Sequence, residues 1–312
     1  MPRQTIKKTK ILNLSQIIGA SSLSRPETEI LIAFILKKTR EFLLTHPETK
    51  ITPAVARRFR ALEKKRLAAW PIAYLTGQKE FYGLNFKVSP ATLVPRPETE
   101  MIVEKIVDLA KSLIPKKLSD MNGTRRPLVI DLGTGSGAII IAVASELKRL
   151  FPASYKNIKF SAIDISADAL KVAKQNAAAH KLNKKIKFYR GDLLLPLKKL
   201  TAGRPIFKAD SRLIISANLP YLTPEQIKKS PSIKREPKLA LDGGADGLKY
   251  YQALFKQLSQ TAFRSATVLC EIDPGQVKNM RTLVVKYFPA APNSLQTDLS
   301  GQDRLFVLEL TR

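Results

Sequence analysis

The sequence predicts an α/β protein whose main part is a doubly wound, Rossmann-like sheet, preceded by a small helical domain and a β-hairpin linker. From Leu128 onward, short apolar segments typical of strands alternate with longer segments of helical periodicity. Before that, apolar residues recur at helical spacing over residues 15–69. These patterns predict three parts: a helical domain over 1–72, a hairpin linker over 73–97 and a larger domain over 98–312.

The composition is that of an ordinary globular protein with an excess of positive charge. Of 312 residues, 44% are hydrophobic and 25% are charged, and the formal net charge is +27. A positive field of this size would attract RNA, ribosomes or acidic proteins. A general lysine bias explains the charge equally well, because the lysines are spread over the whole chain. Both interpretations stay open from the sequence.

Cysteine content and apolar patterning favour the cytoplasm. Cys270 is the only cysteine, which excludes an internal disulfide and a cysteine-rich zinc site. It lies in an apolar run, so we expect a buried thiol rather than a nucleophile. No uncharged apolar run reaches about 18 residues, so no membrane span is expected, and the start of the chain does not have the pattern of a signal peptide. We expect a cytoplasmic monomer without a metal.

The helical region contains two segments with recognisable starts. Pro26 precedes the apolar pattern of ETEILIAFIL, and Thr52 with Pro53 precedes AVARRFRALEKKRL. The next segment, PIAYLTGQKEFYGLNFKVSP, alternates aromatic and polar residues around Gly77 and Gly83, which predicts a short β-hairpin.

Seven segments in the remainder of the chain are predicted to be strands. The last two are predicted to form an antiparallel pair, whereas alternation with helices makes the others parallel. In such sheets ligands bind at the carboxyl ends of the strands. The segments are PLVIDL, KFSAID, KIKFYRGD, RLIISANL, TVLCEID, SLQTDL and RLFVLEL.

A glycine-rich loop follows the first of these strands. It runs from Asp131 through Gly133, Thr134, Gly135 and Ser136 to Gly137. Glycines let the backbone turn tightly and approach a ligand, and the following helix offers free amide groups. The spacing also satisfies the loose dinucleotide fingerprint, so a nicotinamide dinucleotide stays open. Asp131 favours S-adenosylmethionine, because an acid here repels a pyrophosphate but receives the ammonium of a methionine group.

Two further acids follow the second and third strands. Asp164 is placed to accept hydrogen bonds from both hydroxyls of a ribose, although it could instead cap the next helix, for which Ser166 is the better candidate. Asp192 is placed to accept from the exocyclic amine of adenine, although a simple Gly-Asp turn explains it nearly as well.

The tetrapeptide Asn218-Leu219-Pro220-Tyr221 follows the fourth strand, at the predicted ligand edge. A planar nitrogen is a poor nucleophile because its lone pair is delocalised. Hydrogen bonds to the Asn218 side-chain oxygen and the Leu219 carbonyl would hold such a nitrogen in place while charge develops. The Tyr221 ring offers an aromatic face to a flat substrate group. Asn218, Pro220 and Tyr221 are therefore the predicted catalytic residues, and all four residues are predicted to bind substrate.

With these motifs in place, the chain resembles the bacterial release factor glutamine methyltransferases over nearly its whole length. The likeness lies in PIAYLTGQKEFYGLNFKVSPATLVPRPETE, DLGTGSGA, AID, GD, NLPY, REPKLALDGGADGL and DLSGQDRLFVLE. It implies a seven-stranded methyltransferase sheet, S-adenosylmethionine as methyl donor, and the glutamine of a Gly-Gly-Gln motif in a peptide chain release factor as substrate.

The resemblance also implies roles for single residues. Leu193, the residue after Asp192, would lie against the cofactor, where the family usually has a large aromatic residue, and Asn218 would touch the cofactor as well as the substrate. Arg96 and Glu98 would organise the wall of the site. The family usually reads Asn-Pro-Pro-Tyr, so Leu219 departs from it. Any residue supplies the needed carbonyl, and we expect activity to be retained.

Other functions compete with this one. The same tetrapeptide serves methylation of an exocyclic base nitrogen in DNA or rRNA, and the positive charge would suit that substrate. A glutamine in a ribosomal protein is a nearer competitor. A binding module that has lost catalysis is a third class, against which the intact Asp131, Asp164, Asn218 and Tyr221 argue.

Overall fold

A computed structural model describes residues 12–113, 127–199 and 211–311. The chain divides into two compact units, Met1–Gly77 and Gln78–Arg312. Within the described residues, no helix has both the length and the apolar character needed to cross a membrane.

The first unit is mainly helical, as predicted, and adds a two-stranded sheet that the sequence pattern did not predict. Thr52 starts the longest helix by accepting a hydrogen bond from the Val55 amide at 3.3 Å, with Pro53 in the first turn. Phe59 on that helix is fully buried in a small apolar core. The elements are β1 (Leu12–Asn13), α1 (Leu14–Gly19), α2 (Arg25–Leu36), α3 (Arg40–Thr45), β2 (Lys50–Ile51), α4 (Pro53–Leu67) and α5 (Ile72–Thr76).

The second unit contains the hairpin and the alternating strands and helices. Its strands are β3 (Gln78–Phe81), β4 (Leu84–Lys87), β5 (Leu128–Leu132), β6 (Lys159–Asp164), β7 (Ile186–Arg190), β8 (Arg212–Ala217), β9 (Ser265–Glu271), β10 (Asn293–Thr297) and β11 (Asp303–Thr311). Its helices are α6 (Glu100–Leu113), α7 (Ala138–Leu150), α8 (Pro152–Tyr155), α9 (Ala167–Ala179), α10 (Leu195–Lys199), α11 (Pro224–Lys229), α12 (Lys249–Ser259) and α13 (Val277–Tyr287).

The central sheet has seven strands in the order β10-β11-β9-β8-β5-β6-β7. Strands β5 to β9 run parallel, whereas β11 is antiparallel to β9 and β10 is antiparallel to β11. The predicted doubly wound α/β class and the terminal antiparallel pair are therefore confirmed. The chain leaves β5 in one direction to β6 and later returns to its other side with β8, and ligand crevices form beside such a reversal of strand order.

Alternating residues of the strands bury two apolar layers, one on each face of the sheet. Val129 of β5 packs in the layer formed with α6 and α7, whereas its neighbour Ile130 packs in the layer with α12 and α13. Cys270 is fully buried in the second layer, as expected. Both faces of the sheet are thus covered, and its strand ends remain available to bind ligands.

The predicted hairpin is formed by β3 and β4, which are antiparallel and pair Phe81 with Leu84. Tyr82 and Gly83 have φ angles of 52° and 69°, a combination typical of the tight turns that match strand twist. Phe81 and Phe86 are buried against the α6/α7 layer. The hairpin therefore packs with the central sheet as part of the second unit.

Candidate functional site

A cleft opens at the edge of the sheet where β5, β6, β7 and β8 end. The connection after each of these four strands contributes to it. The linker after the hairpin and the segment before α12 supply the rest of the wall. The main lining segments are 91–93, 95–96, 133–136, 163–166, 191–193, 218–220, 237 and 239–240.

The glycine loop enters this cleft directly after β5. Gly133, Gly135 and Gly137 have φ angles of 66°, 55° and 82°, which side-chain-bearing residues rarely adopt. A Cβ on Gly137 would lie 3.0 Å from Ile141 Cδ1 and 3.3 Å from Ala173 Cβ. The third glycine therefore allows α7 and α9 to pack closely, while the first two line the cleft.

Asp131 lies behind the loop and does not line the cleft. Its two carboxylate oxygens accept hydrogen bonds from Thr134 Oγ1 at 2.6 Å and from Ser216 Oγ at 2.8 Å, and its side chain is fully buried. Burial raises the pKa of Asp131 to about 6, although the two hydroxyls oppose the rise. Asp131 thus fixes the loop to β8, and its contact with a ligand ammonium stays a prediction.

Asp164 ends β6 and does line the cleft. Its Oδ2 accepts from the Gly135 amide and its Oδ1 from the Ser166 amide, both at 2.8 Å. Burial raises the pKa of this carboxyl. Ser166, as predicted, caps α9 by accepting from the Ala169 amide at 3.2 Å. The backbone therefore holds the carboxylate rigidly beside the glycine loop, with acceptor capacity left for two hydroxyl groups.

Gln257 of α12 fixes the loop after β7, and no motif of the sequence pointed to it. Its Oε1 accepts from the Leu194 amide at 2.9 Å and its Nε2 donates to Asp192 Oδ2 at 3.2 Å. Asp192 and Leu193 both line the cleft, and Leu193 is 6% exposed. The position of Leu193 is suited to packing against a flat ligand group.

Asn176 of α9 joins the glycine loop to Lys87, the last residue of β4 in the hairpin. Its Nδ2 donates to Ser136 O at 2.8 Å and to Lys87 O at 2.9 Å, and its Oδ1 accepts from the Lys87 amide at 2.8 Å. Asn176 is buried. One side chain therefore holds two distant backbone segments in register beside the cleft.

The Asn218–Tyr221 turn is supported from behind by the glycine-rich segment 241–247. The Leu222 amide donates to Leu241 O at 3.0 Å, and the Gly243 amide donates to Leu222 O at 2.8 Å. A Cβ on Gly243 would lie 2.6 Å from Pro220 O, closer than packed atoms approach. Leu219 is 3% exposed and belongs to the core, so this position is held by packing although it lacks a proline ring.

Gln276 adds a second support for the turn. Its Nε2 donates to Tyr221 O at 2.7 Å and to Asp246 O at 3.2 Å. Neither Gln276 nor the segment 241–247 faces the cleft. They fix the backbone of the turn, and so they fix where its carbonyls point.

Glu271, the last residue of β9, receives three side-chain hydrogen bonds around this turn. Asn218 Nδ2 donates to its Oε2 at 2.9 Å, and Thr99 Oγ1 donates to the same oxygen at 2.7 Å. Tyr221 OH donates to its Oε1 at 3.2 Å. Asn218 Nδ2 also donates to Thr99 Oγ1 at 3.1 Å.

Sequence reasoning overlooked Glu271, although a signal was present. An acid that ends an apolar strand, in TVLCEID, lies at the same edge as the other ligand-facing acids. The carboxyl is fully buried, and burial raises its pKa, with Thr99 and Tyr221 opposing the rise. Burial and the Glu271 charge in turn raise the pKa of Tyr221 far above its usual range.

A second overlooked acid, Glu236, holds the linker wall. Its Oε2 accepts from the Val94 amide at 3.0 Å, and its Oε1 pairs with the Arg96 guanidinium. The Glu236 side chain is 1% exposed, whereas that of Arg96 is 35% exposed. Arg96 lines the cleft, as its predicted role in the wall requires, but Glu98 does not.

The glycine loop and the Asn218–Tyr221 turn are in contact. A Cβ on Gly133 would lie 3.2 Å from Leu219 Cδ2 and 3.7 Å from Asn218 O. A ligand on the loop would therefore lie beside the group that the turn holds.

Ten of the predicted site residues line the cleft, and three lie behind its wall. Asp131, Gly137 and Tyr221 are those three, each bonded to a residue of the wall or its support. The ten that line the cleft are Gly133, Thr134, Gly135, Ser136, Asp164, Asp192, Leu193, Asn218, Leu219 and Pro220. In the described part of the chain, no group of three or more His, Cys, Asp or Glu side chains is arranged to hold a metal ion; that no metal is needed stays a prediction.

Both parts of the chain match known families. Residues 15–77 match the family model described as "PrmC N-terminal domain", and residues 126–261 match the one described as "Methyltransferase domain". Among solved structures, the catalytic domain of human METTL16 in complex with the MAT2A 3′UTR hairpin 1 is similar at a TM-score of 0.50 and 13% identity, covering 90% of each chain. At that identity the likeness concerns the fold alone.

Curated relatives are similar over most of their length. The release factor glutamine methyltransferase of Bacillus cereus is 34% identical over 284 residues, covering 90% of this chain and 91% of the relative. That of Moorella thermoacetica is 34% identical over 296 residues, covering 93% of each. The Bacillus subtilis relative is 34% identical and covers 88% of each. The chain therefore belongs to the release factor glutamine methyltransferase family.

Proposed function

We propose that this protein transfers a methyl group from S-adenosylmethionine to the side-chain amide nitrogen of the glutamine in the Gly-Gly-Gln motif of a peptide chain release factor. The observation that carries the proposal is the contact between the glycine loop and the Asn218–Tyr221 turn in one cleft. A methyl donor and a planar amide require such neighbouring sites, because transfer takes place only between aligned atoms about 3 Å apart.

The residues of the cleft fit S-adenosylmethionine. The Asp164 carboxylate offers acceptors for a ribose diol, and Gly133 and Gly135 let the backbone approach a ligand where a side chain would intrude. Leu193 and Ile165 supply apolar surface for a flat base, and Asp192 an acceptor for its amine. When bound, S-adenosylmethionine supplies an electrophilic methyl group on a sulfonium.

The turn is suited to gripping an amide NH2 group. Asn218 Oδ1 and the Leu219 carbonyl are the acceptors for its two hydrogens, and they stabilise the positive charge that develops on the nitrogen during transfer. Pro220 limits the flexibility of the turn. No general base is required, because a protonated amide is a strong acid that loses its proton readily to water.

The proposal also assigns a role to each of the three parts of the chain. The helical domain over 1–72 recognises the release factor, the linker over 73–97 connects it, and 98–312 performs the methyl transfer. We propose that the protein acts as a monomer in the cytoplasm, where its charge brings it near RNA or the ribosome.

Mass spectrometry of a release factor after incubation with the protein and S-adenosylmethionine tests the substrate. We expect one added methyl on the glutamine of the Gly-Gly-Gln peptide. A methyl found only on RNA or DNA, or only on a ribosomal protein, would replace this substrate by that one.

Asn218→Ala tests the chemistry, because it removes the amide oxygen while leaving the glycine loop intact. We expect turnover to fall by about 100-fold or more while cofactor binding stays measurable by calorimetry. Asn293→Ala is the matched control, since Asn293 is exposed and lies outside the cleft. Unchanged turnover in Asn218→Ala would defeat the proposed role.

A further inference from the structure

The amide orientation of Asn218 is determined by its neighbours. A carboxylate accepts hydrogen bonds and donates none, so the Asn218 atom that lies 2.9 Å from Glu271 Oε2 must be the NH2 nitrogen. The second hydrogen of that nitrogen goes to Thr99 Oγ1 at 3.1 Å. Both donors of the Asn218 amide are thereby used.

The opposite atom, Asn218 Oδ1, has no hydrogen bond from any residue in the described part of the chain. Asn218 itself lines the cleft. The atom left to meet a ligand is therefore an acceptor, which an NH2 group of a substrate requires. If the amide were reversed, its nitrogen would face the substrate nitrogen, and two donors would oppose each other.

Glu271 is not placed to meet the substrate itself. It is fully buried, it does not line the cleft, and its two oxygens accept three hydrogen bonds from Thr99, Asn218 and Tyr221. Any influence it has on the reaction therefore passes through these partners. Three donors around one carboxylate are the environment of an ionised group.

Two charged residues near Glu271 have opposite effects on its pKa. Arg304 of β11 favours the ionised carboxylate, whereas Glu98 disfavours it. Arg304 also forms an ion pair with Asp298 at 3.0 Å, and this pairing weakens its effect on Glu271. The hydrogen bonds from Thr99 and Tyr221, with Arg304 as a weaker contributor, oppose the effect of burial on the pKa of Glu271, which stays raised.

We propose that Glu271 is a positioning residue for methyl transfer: its carboxylate holds the Asn218 amide in the single orientation that turns Oδ1 toward the substrate nitrogen. The proposal rests on the proposed function. A charged acceptor also polarises the amide that donates to it, so Oδ1 becomes a stronger acceptor as positive charge develops on the substrate. Thr99 assists as the second partner of the Asn218 amide.

The test compares wild type with Glu271→Gln on an intact release factor. Glutamine keeps the shape but presents an NH2 group that competes with the Asn218 donors. We expect kcat to fall by about tenfold or more, with the Kd for S-adenosylmethionine, measured by calorimetry, within about twofold. Glu146→Gln is the matched control: Glu146 lies on α7, is paired with Arg149 and does not line the cleft, so its kcat should not change.

A double-mutant cycle separates positioning from a general structural effect. If Glu271 acts through Asn218, then Glu271→Gln should change kcat little in the Asn218→Ala background, and the two losses should not add. Additive losses would overturn the inference. Thr99→Val serves as a second variant should Glu271→Gln fold poorly, and it should lower kcat by about threefold or more at unchanged cofactor affinity; an unchanged kcat in a folded Thr99→Val would count against the inference.

The outcomes distinguish the two proposals. A wild-type protein that leaves the release factor unmodified would overturn the substrate assignment, and this inference with it. An active wild type with an equally active Glu271→Gln would overturn the inference alone.

Discussion

The glycine loop presents backbone groups to the cleft, whereas the neighbouring Asn218–Tyr221 turn presents an amide side chain whose orientation depends on a buried acid. In the loop, positive φ angles and amide donors to Asp164 determine the shape. In the turn, Glu271 and the segment 241–247 determine it from outside. Each region also contains a buried carboxylate that faces hydroxyl or amide donors, Asp131 in one and Glu271 in the other. The loop therefore owes its shape to its own glycines as well as to bonds from distant residues, whereas the turn depends mainly on distant residues.

Gly243→Ala should have the largest effect, because it attacks the outside support of the turn. The added Cβ would lie 2.6 Å from Pro220 O and 2.8 Å from Tyr221 Cα, so the backbone of the turn must shift. We expect about 1–3 kcal/mol of lost stability and at least a 100-fold loss of kcat, measured by thermal unfolding and by the release factor assay.

Gly19→Ala is the control for that substitution, since a Cβ there would meet nothing within 4 Å. It should leave kcat unchanged. A fully active Gly243→Ala would show that the turn does not need this support.

Asp131→Asn tests the buried acid of the loop through pH. The folded-state pKa of about 6 lies above the ordinary 3.8, so the folded protein binds more protons than the unfolded chain between these values. The contribution of the Asp131 carboxyl to the free energy of unfolding of wild type therefore falls as pH rises from about 4 to about 6. The free energy of unfolding of Asp131→Asn minus that of wild type should rise over the same range by on the order of 2 kcal/mol. A difference that stays flat with pH contradicts this picture.

Gly133→Ala tests whether the loop shape serves the ligand. Its φ of 66° becomes strained with a side chain, and the Cβ would press on Leu219 Cδ2 at 3.2 Å. We expect the Kd for S-adenosylmethionine to rise about tenfold, or about 1.4 kcal/mol. Gly301→Ala carries similar strain at φ 79° with nothing within 4 Å, so it should lose stability while keeping its affinity. Equal affinities in the two variants would contradict the prediction.

Gln257→Leu should have the smallest effect, because it releases Asp192 and Leu194 without touching the loop or the turn. The Leu194 amide loses its partner, and we expect cofactor affinity to fall about threefold. Gln252→Leu is the control, since Gln252 is exposed on the same helix. A loss of cofactor affinity larger than that in Gly133→Ala would contradict the prediction that the loop after β7 matters less for cofactor binding than the glycine loop.

The sequence predicted the parts of this molecule that follow from local patterns. The strand–helix alternation, the hairpin around Gly83 and the cap at Ser166 all depend on residues close together in the chain. Positive φ at three glycines is likewise a local requirement. The meeting of Asp164 with the glycine loop was predictable for another reason, because the two follow neighbouring parallel strands.

The supports of the turn escaped prediction because their partners are far apart in sequence. Glu271 meets Asn218 from another strand, and Glu236 meets Val94 across most of the second unit. A single sequence shows that an acid ends a strand, but it does not show which side chain the acid faces. The role of Asp131 as a tie between loop and strand was hidden for the same reason, because Ser216 lies on β8.

Asn176 gives the cleft a property beyond its shape. By bonding Ser136 on one side and both backbone groups of Lys87 on the other, it links the glycine loop to β4 of the hairpin. We therefore expect a ligand that orders the glycine loop to slow amide hydrogen exchange at Lys87 as well, although Lys87 does not itself line the cleft.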